Sequence, residues 1–225
     1  AIKNGGYDFI AVHGQADKPT FVCLSREGVQ FLDANYLWGL DTFATQDRIW
    51  EKYGKTHTHI ACIGPAGENL VKFAAIIHEK RAAARGGVGT VMGAKKLKAL
   101  VIHTAGANTP ALHDREAFLK LVKDHNKILK THDRRKKMTT YGTTFMTSKM
   151  HEMGIFPVKN FQEGCLPGVE KIGAEAFQKL KTADYGCHAC TTRCGNVFRA
   201  AEGPYKGAES EGPEYETIFS FGGQI

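Results

Sequence analysis

Apolar and β-branched residues open the chain in short runs. Residues 7–14 (YDFIAVHG), 20–24 (TFVCL) and 28–33 (GVQFLD) each hold a few apolar side chains, cut apart by Gly, Pro, Asp and Lys. Runs this short and this rich in Val, Ile and Phe predict the strands of a meander, because a helix needs ten or more residues to repeat an apolar stripe. Asp41 then opens a different pattern. In DTFATQDRIWEKY, residues 41–53, apolar positions including Phe43 and Trp50 follow a polar N-cap, and Gly54 stands just past the end. Those are the start and stop signals of one helix. THIACIG (58–64), LVKFAAIIH (70–78) and KALVIHT (98–104) return to strand-like composition, with a Gly-rich segment between the last two.

Beyond AGANTP (105–110), which has linker composition, Phe118, Leu121, Val122, Ile128 and Leu129 fall on one helical face. Residues 139–153 and 173–182 also read as helical, with Gly154 and GCLPG as stops between them. The expected fold class is therefore α+β, with a β-rich part over 1–108 and an α-helical part over 109–225. At 225 residues the chain can bury a core without disulfide staples. It holds no run near the ~18 apolar residues of a membrane span, and AIKNGGYDFIAV lacks the order of a secretory signal. A soluble, cytoplasmic protein is expected. With no initiator Met, and with its last residues following the apparent opening of a helix, the chain reads as an internal fragment.

A net charge of +7 and a pI near 9.1 suit nucleic acid, an acidic protein partner or a solvated surface, and do not choose among them. DRRKK (133–137) reads as a solvated helix end; it lacks interleaved aromatics, and no helix-turn-helix or RRM signature is present. Cysteine narrows the field. In YGCHACTTRCGN (185–196), Cys187, Cys190 and Cys194 have the spacing C-x2-C-x3-C, which lets one loop direct three thiolates at a common centre. Zinc and an iron–sulfur cluster are the candidate occupants. Structural zinc usually takes its ligands as two pairs, whereas a cubane accepts three local cysteines and one distant one, so the spacing favours the cluster. A zinc site helped by His188 remains, and with it the alternative of a non-enzymatic zinc or iron–sulfur module that binds nucleic acid. Cys23 and Cys62 sit in apolar strands and read as small hydrophobes. Cys165 is the internal candidate for a fourth ligand, and a ligand beyond this chain is equally permitted.

Glycine, 25 of 225 residues, suggests tight turns and close backbone approaches. RAAARGGVGTVMGAKKLKAL (81–100) sets Arg81 and Arg85 among glycines, so backbone N–H groups and guanidinium forks could meet a phosphate. It fits neither the Walker loop nor the dinucleotide fingerprint, and a Gly-rich turn with surface arginines is the plain alternative. GAESEGPEYETIF (207–219) clusters Glu209, Glu211, Glu214 and Glu216, with Pro213 suited to a helix start; most such glutamates complement the helix dipole.

Taken together, IGPAGENLVKFAAI (63–76), the 81–100 segment, YGTTFMTSKMHEMGIFPVKNFQEG (141–164), CHACTTRCG and EGPEYETIFSFG closely resemble the aldehyde ferredoxin oxidoreductase family, in the family's order, from about residue 4 to the last. The resemblance implies a β-rich saddle that carries a tungsten (or molybdenum) bis-pyranopterin, covered by α-helical domains. It sets Arg81 at a pterin phosphate and the Ala82 carbonyl near a Mg2+ that bridges the two pterin phosphates; Ala83 and Ala84 continue that contact, and Arg85 matches the same segment. The family usually has Gly at position 84, so a positive φ there would strain Ala84. Cys187, Cys190 and Cys194 match the first three ligands of a [4Fe-4S] cluster, with the fourth expected outside this chain. Glu216 matches the carboxylate beside the metal, in an acid–base role. The implied reaction oxidises an aldehyde to a carboxylic acid with water as oxygen source, and passes electrons through the cluster to ferredoxin or a small iron–sulfur subunit. Other members act on other substrates, including aromatic ring reduction on a thioester. The basic surface suits an acidic ferredoxin; no nucleic acid or membrane partner is implied, and a homo-oligomer is left open.

Overall fold

The computed structural model describes residues 1–106 and 110–223. The chain divides into two compact units, Ala1–Leu112 and His113–Ile225. The boundary expected at residue 108 lies outside the described residues.

The first unit holds β1 (Thr20–Ser25), β2 (Gly28–Asp33), α1 (Thr42–Tyr53), β3 (Thr58–Cys62), α2 (Pro65–Glu68), β4 (Ile76–His78), β5 (Arg81–Ala83), α3 (Val88–Ala94) and β6 (Leu97–His103). Its strands form one sheet in the order β2-β1-β6-β3-β4-β5, parallel between β1 and β6 and antiparallel elsewhere. Because side chains alternate across a strand, β1 feeds two cores. Phe21 and Cys23 pack with Ile60, Cys62, Val101 and, from α1, Ile49. Val22 and Leu24 face the other way, toward Ile63, Leu97, Ile102 and, from α3, Met92. As expected, Asp41 caps α1 by accepting from the Ala44 N–H (2.8 Å), and Gly54 ends it at φ 76°.

Two expected strands are corrected. Residues 7–14 form no strand, because Tyr7 and Ile10 lie against the second core on a face of the sheet rather than along an edge. Of residues 70–78 only Ile76–His78 is a strand. The preceding residues satisfy their backbone in turns, with Val71 N–H donating to the Ala66 carbonyl and Ala74 N–H to that of Val71 (both 2.9 Å).

Two glycines in the 81–100 segment permit close packing. A Cβ at Gly93 of α3 would lie 1.8 Å from the Gly67 carbonyl oxygen in α2, and one at Gly87, where φ is 70°, would lie 2.1 Å from that of Lys72. Beneath them, an ion pair joins Lys98 of β6 to Glu68 of α2, both buried. Lys98 Nζ also donates to the Leu40 carbonyl (2.8 Å), and Glu68 accepts from the Gly39 N–H (2.8 Å). A charge pair removed from water is tolerated when its remaining hydrogen-bonding positions are filled in this way.

The second unit contains α4 (Arg115–Thr131), α5 (Asp133–Tyr141), α6 (Met146–Glu152), α7 (Ala174–Gln178), β7 (Lys181–Tyr185), β8 (Gly195–Arg199), β9 (Glu209–Glu211) and α8 (Tyr215–Gly222). Phe156, Val158, Tyr215 and Ile218 form its core, flanked by Met146, Met150, Ile172 and Phe177. The helix expected over 139–153 is two helices, divided at Gly142, which takes φ 61°. The stretch 173–182 is helical only to Gln178, and Lys181 already belongs to β7. The three strands form an antiparallel sheet in the order β7-β8-β9, so the unit is not purely helical. The whole chain is α+β. Among the described residues, no helix is long and apolar enough to cross a membrane.

Candidate functional site

Arg81, Ala82 and Ala83 make up β5, the outermost strand of the first sheet, in a hairpin where Arg81 pairs with His78 and Ala82 with Ile77. All three are exposed, as are Ala84 and Arg85. An exposed edge strand presents backbone groups to an external partner. Ala84 does not take a positive φ; the left-handed turn is made by Gly86 (φ 87°) and Gly87 (φ 70°). Alanine at 84 is therefore free of the strain anticipated for it.

In the second unit, the three clustered cysteines lie on the loop between β7 and β8. Tyr185 pairs with Gly195, so the two strands bracket the loop; Cys187 follows β7 and Cys194 directly precedes β8. The loop folds back on itself. Cys190 N–H donates to the Cys187 carbonyl (3.0 Å), and Ala189 (φ 55°) and Arg193 (φ 48°) are left-handed. This curl turns the backbone N–H groups of Arg193 and Thr192 onto the Cys190 sulfur, and those hydrogen bonds hold its thiol below the ordinary cysteine range. Cys194 moves the other way, pushed up by burial and then by the nearby Glu214 carboxylate.

The carbonyl side of the loop is held from α5. Arg135 donates from Nε and Nη2 to the Thr191 carbonyl (3.2 and 2.9 Å), and the Thr139 hydroxyl donates to that of Thr192 (2.6 Å). The DRRKK block is thus more than a solvated helix end, since Arg135 points from it into the loop while its four neighbours are exposed. Glu214 accepts from the Thr143 N–H (3.0 Å) and hydroxyl, and Thr143 Oγ1 accepts from the Tyr215 N–H (2.8 Å). Glu216 is exposed in the first turn of α8. Cys165 is exposed, with its thiol donating to the His151 carbonyl (3.5 Å). Cys23 and Cys62 are buried in the core as expected, and burial pushes the Cys62 thiol up to about 12.

The loop places three thiols within eight residues, and the N–H donors at Cys190 stabilise its thiolate charge; the three sulfurs do not all lie within 4.8 Å of one another, a spacing wider than a single metal ion takes. This donor set fits an iron–sulfur cluster, whose sulfurs are commonly tuned by such hydrogen bonds. The sequence did not signal Arg135 or Thr139 as supports of the loop, nor Glu214 as the charge near Cys194, because only the fold brings α5 and the start of α8 to it.

Residues 1–104 match the N-terminal domain of aldehyde ferredoxin oxidoreductase, and residues 120–225 match its domains 2 and 3. The chain belongs to the aldehyde ferredoxin oxidoreductase family. It is 39% identical to a tungsten-containing aldehyde ferredoxin oxidoreductase of Pyrococcus furiosus and 37% identical to that of Thermococcus kodakarensis, over the whole of this chain and 36% of each relative. It is also 32% identical to the WOR-like subunit of an aliphatic sulfonate oxidoreductase of Pyrococcus furiosus, over 96% of this chain and 36% of that one. The chain thus spans about a third of the length of these relatives. Its fold resembles the active-site complex BamBC of benzoyl coenzyme A reductase in complex with 1,5-dienoyl-CoA, with a TM-score of 0.74 at 22% identity, over 99% of this chain and 35% of that one.

Proposed function

We propose that this chain is part of a tungsten-dependent oxidoreductase that oxidises aldehydes to carboxylic acids and delivers the electrons through a [4Fe-4S] cluster to ferredoxin or a related iron–sulfur acceptor. The observation that carries the reading is the β7–β8 loop: three cysteines in C-x2-C-x3-C spacing, with two backbone N–H groups on the Cys190 sulfur, in a chain of this family. Cys187, Cys190 and Cys194 supply three thiolates to the cluster, and the fourth ligand comes from outside this chain. The tungsten bis-pyranopterin, when bound, supplies the two-electron chemistry at the aldehyde carbon.

Arg81 and Arg85 bind pterin phosphate through guanidinium groups, which match phosphate oxygens in charge and in fork geometry. On this edge strand alternate backbone groups face away from β4, and the Ala82 carbonyl would be an oxygen ligand of the hard kind Mg2+ prefers. Glu216, at the start of α8, holds or moves a proton at the reacting oxygen; a carboxylate in that role needs burial by cofactor and surrounding domains to reach a useful pKa.

An aldehyde panel with a viologen dye, run without oxygen on the full natural protein, tests the reading. Aldehyde-dependent dye reduction is expected, with Glu216→Gln lowering kcat by about 100-fold or more and leaving the metal content unchanged. Turnover with a sulfonate or thioester substrate and with no aldehyde would assign the chain to another reaction of the family.

A further inference from the structure

The antiparallel hairpin joining β3, β4 and β5 brings a second set of metal-ligating side chains together in the first unit. His59 lies on β3, His78 ends β4, and Glu79 begins the turn into β5; one donor atom from each lies within 4.8 Å of the other two. Among the described residues this is the only such trio of His, Cys, Asp or Glu. We infer that His59, His78 and Glu79 form a binding site for a divalent transition-metal ion of zinc-like preference, built from residues other than the loop cysteines and the arginines assigned to the pterin. The inference does not depend on the tungsten reading.

Three features make this a prepared site. Nδ1 of His78 lies 2.8 Å from the Ile60 carbonyl oxygen. A carbonyl only accepts, so Nδ1 carries the hydrogen and Nε2 keeps its lone pair, which is the tautomer that metal-binding histidines use, fixed by a hydrogen bond from the other ring nitrogen. Glu79 sits at φ 52°, where glycine would be less strained, and its N–H is fixed by Gln46 Oε1 (2.7 Å). Gln46 is itself buried at 1% exposure and anchored to the Thr42 carbonyl (2.9 Å). The turn thus holds a carboxylate where a strain-free residue would carry no side chain.

The rings of His59 and His78 stand 6.2 Å apart at 47°, so their nitrogens can converge on one point without being stacked. Zinc bonds of about 2.0–2.2 Å require donor atoms a little over 3 Å apart. The observed spacing leaves only a small side-chain adjustment. Imidazole with carboxylate suits Zn, Cu, Fe and Ni better than Mg or Ca. Three protein ligands leave a fourth position open, and both histidines line a cavity of about 440 Å³ with Ala61, Leu100 and Ile102.

Zinc binding by the full natural protein, with its cofactors loaded, tests the site: equilibrium dialysis against Zn2+ after chelator treatment, with metals counted per chain. One zinc per chain beyond any at the cysteine loop is expected. His78→Ala and Glu79→Gln should each weaken it by about tenfold or more, and Cys187→Ser should leave it in place. A second readout keeps the test independent of whether a variant folds. Zn2+ should protect both His59 and His78 of the unaltered protein from diethylpyrocarbonate, read by peptide mass spectrometry. No zinc bound, zinc lost with Cys187 but kept without His78, or bound zinc that leaves both histidines open to the reagent would each overturn the site.

Discussion

Cys190 differs from its two loop neighbours in what its sulfur receives. Backbone hydrogen bonds from Arg193 and Thr192 favour the thiolate, so its pKa falls; burial and the Glu214 charge disfavour the thiolate of Cys194, so its pKa rises. Alkylation proceeds through the thiolate. In iron-free protein treated with iodoacetamide across a pH series, Cys190 should therefore reach its plateau rate at a lower pH than Cys194. Cys62, pushed up to about 12 and buried, should remain unlabelled throughout the neutral range. Equal pH profiles for Cys190 and Cys194, read by peptide mass spectrometry, would contradict the assignment of N–H donors to one sulfur. The three loop cysteines were legible in the sequence because they are local. Glu214 was visible only as one of four glutamates, and nothing in the sequence set its bond to Thr143, 71 residues away, apart from the exposed position of Glu216.

At the scale of elements, β1, β2, α1, β3 and β6 follow the apolar pattern closely. Each carries its own signal: an alternating or buried run for the strands, and an Asp41 cap with a Gly54 stop for the helix. Residues 7–14 carry the same composition as a strand and form none, since Tyr7 and Ile10 spend their apolar side chains on the face of the sheet, a contact that composition does not distinguish from strand pairing. The switch from α7 to β7 is likewise fixed by a partner: Lys181 pairs with Phe198 across the sheet, a contact no local window contains. His59, His78 and Glu79 were equally hidden, because only the hairpin brings β3 beside the end of β4.

Lys98 reads as one more lysine in a basic stretch, yet it is fully buried and ties β6 to α2 and to the 39–40 turn. Truncating one member of a buried pair leaves the other charge without a partner, at a cost of about 3–5 kcal/mol. Lys98→Ala should lower stability by that amount in chemical denaturation of the full protein. Lys98→Met combined with Glu68→Leu should recover most of it, because both charges are then gone. A single variant as stable as the natural protein would show that the pair does not hold α2 in place.

At the scale of the whole molecule, each unit holds one part of the proposed machinery: an edge strand with Arg81, followed by Arg85, in the first, and a cysteine loop braced by α5 in the second. The chain is about a third of its relatives' length, so the assembled activity belongs to the full protein. The most direct test is metal analysis of that protein, purified without oxygen, together with electron paramagnetic resonance after dithionite reduction. The account predicts tungsten or molybdenum with about four cluster irons per chain and a reduced-cluster signal, with Cys190→Ala losing iron and that signal. Zinc bound at Cys187, Cys190 and Cys194, with neither tungsten nor molybdenum in the protein, would contradict it.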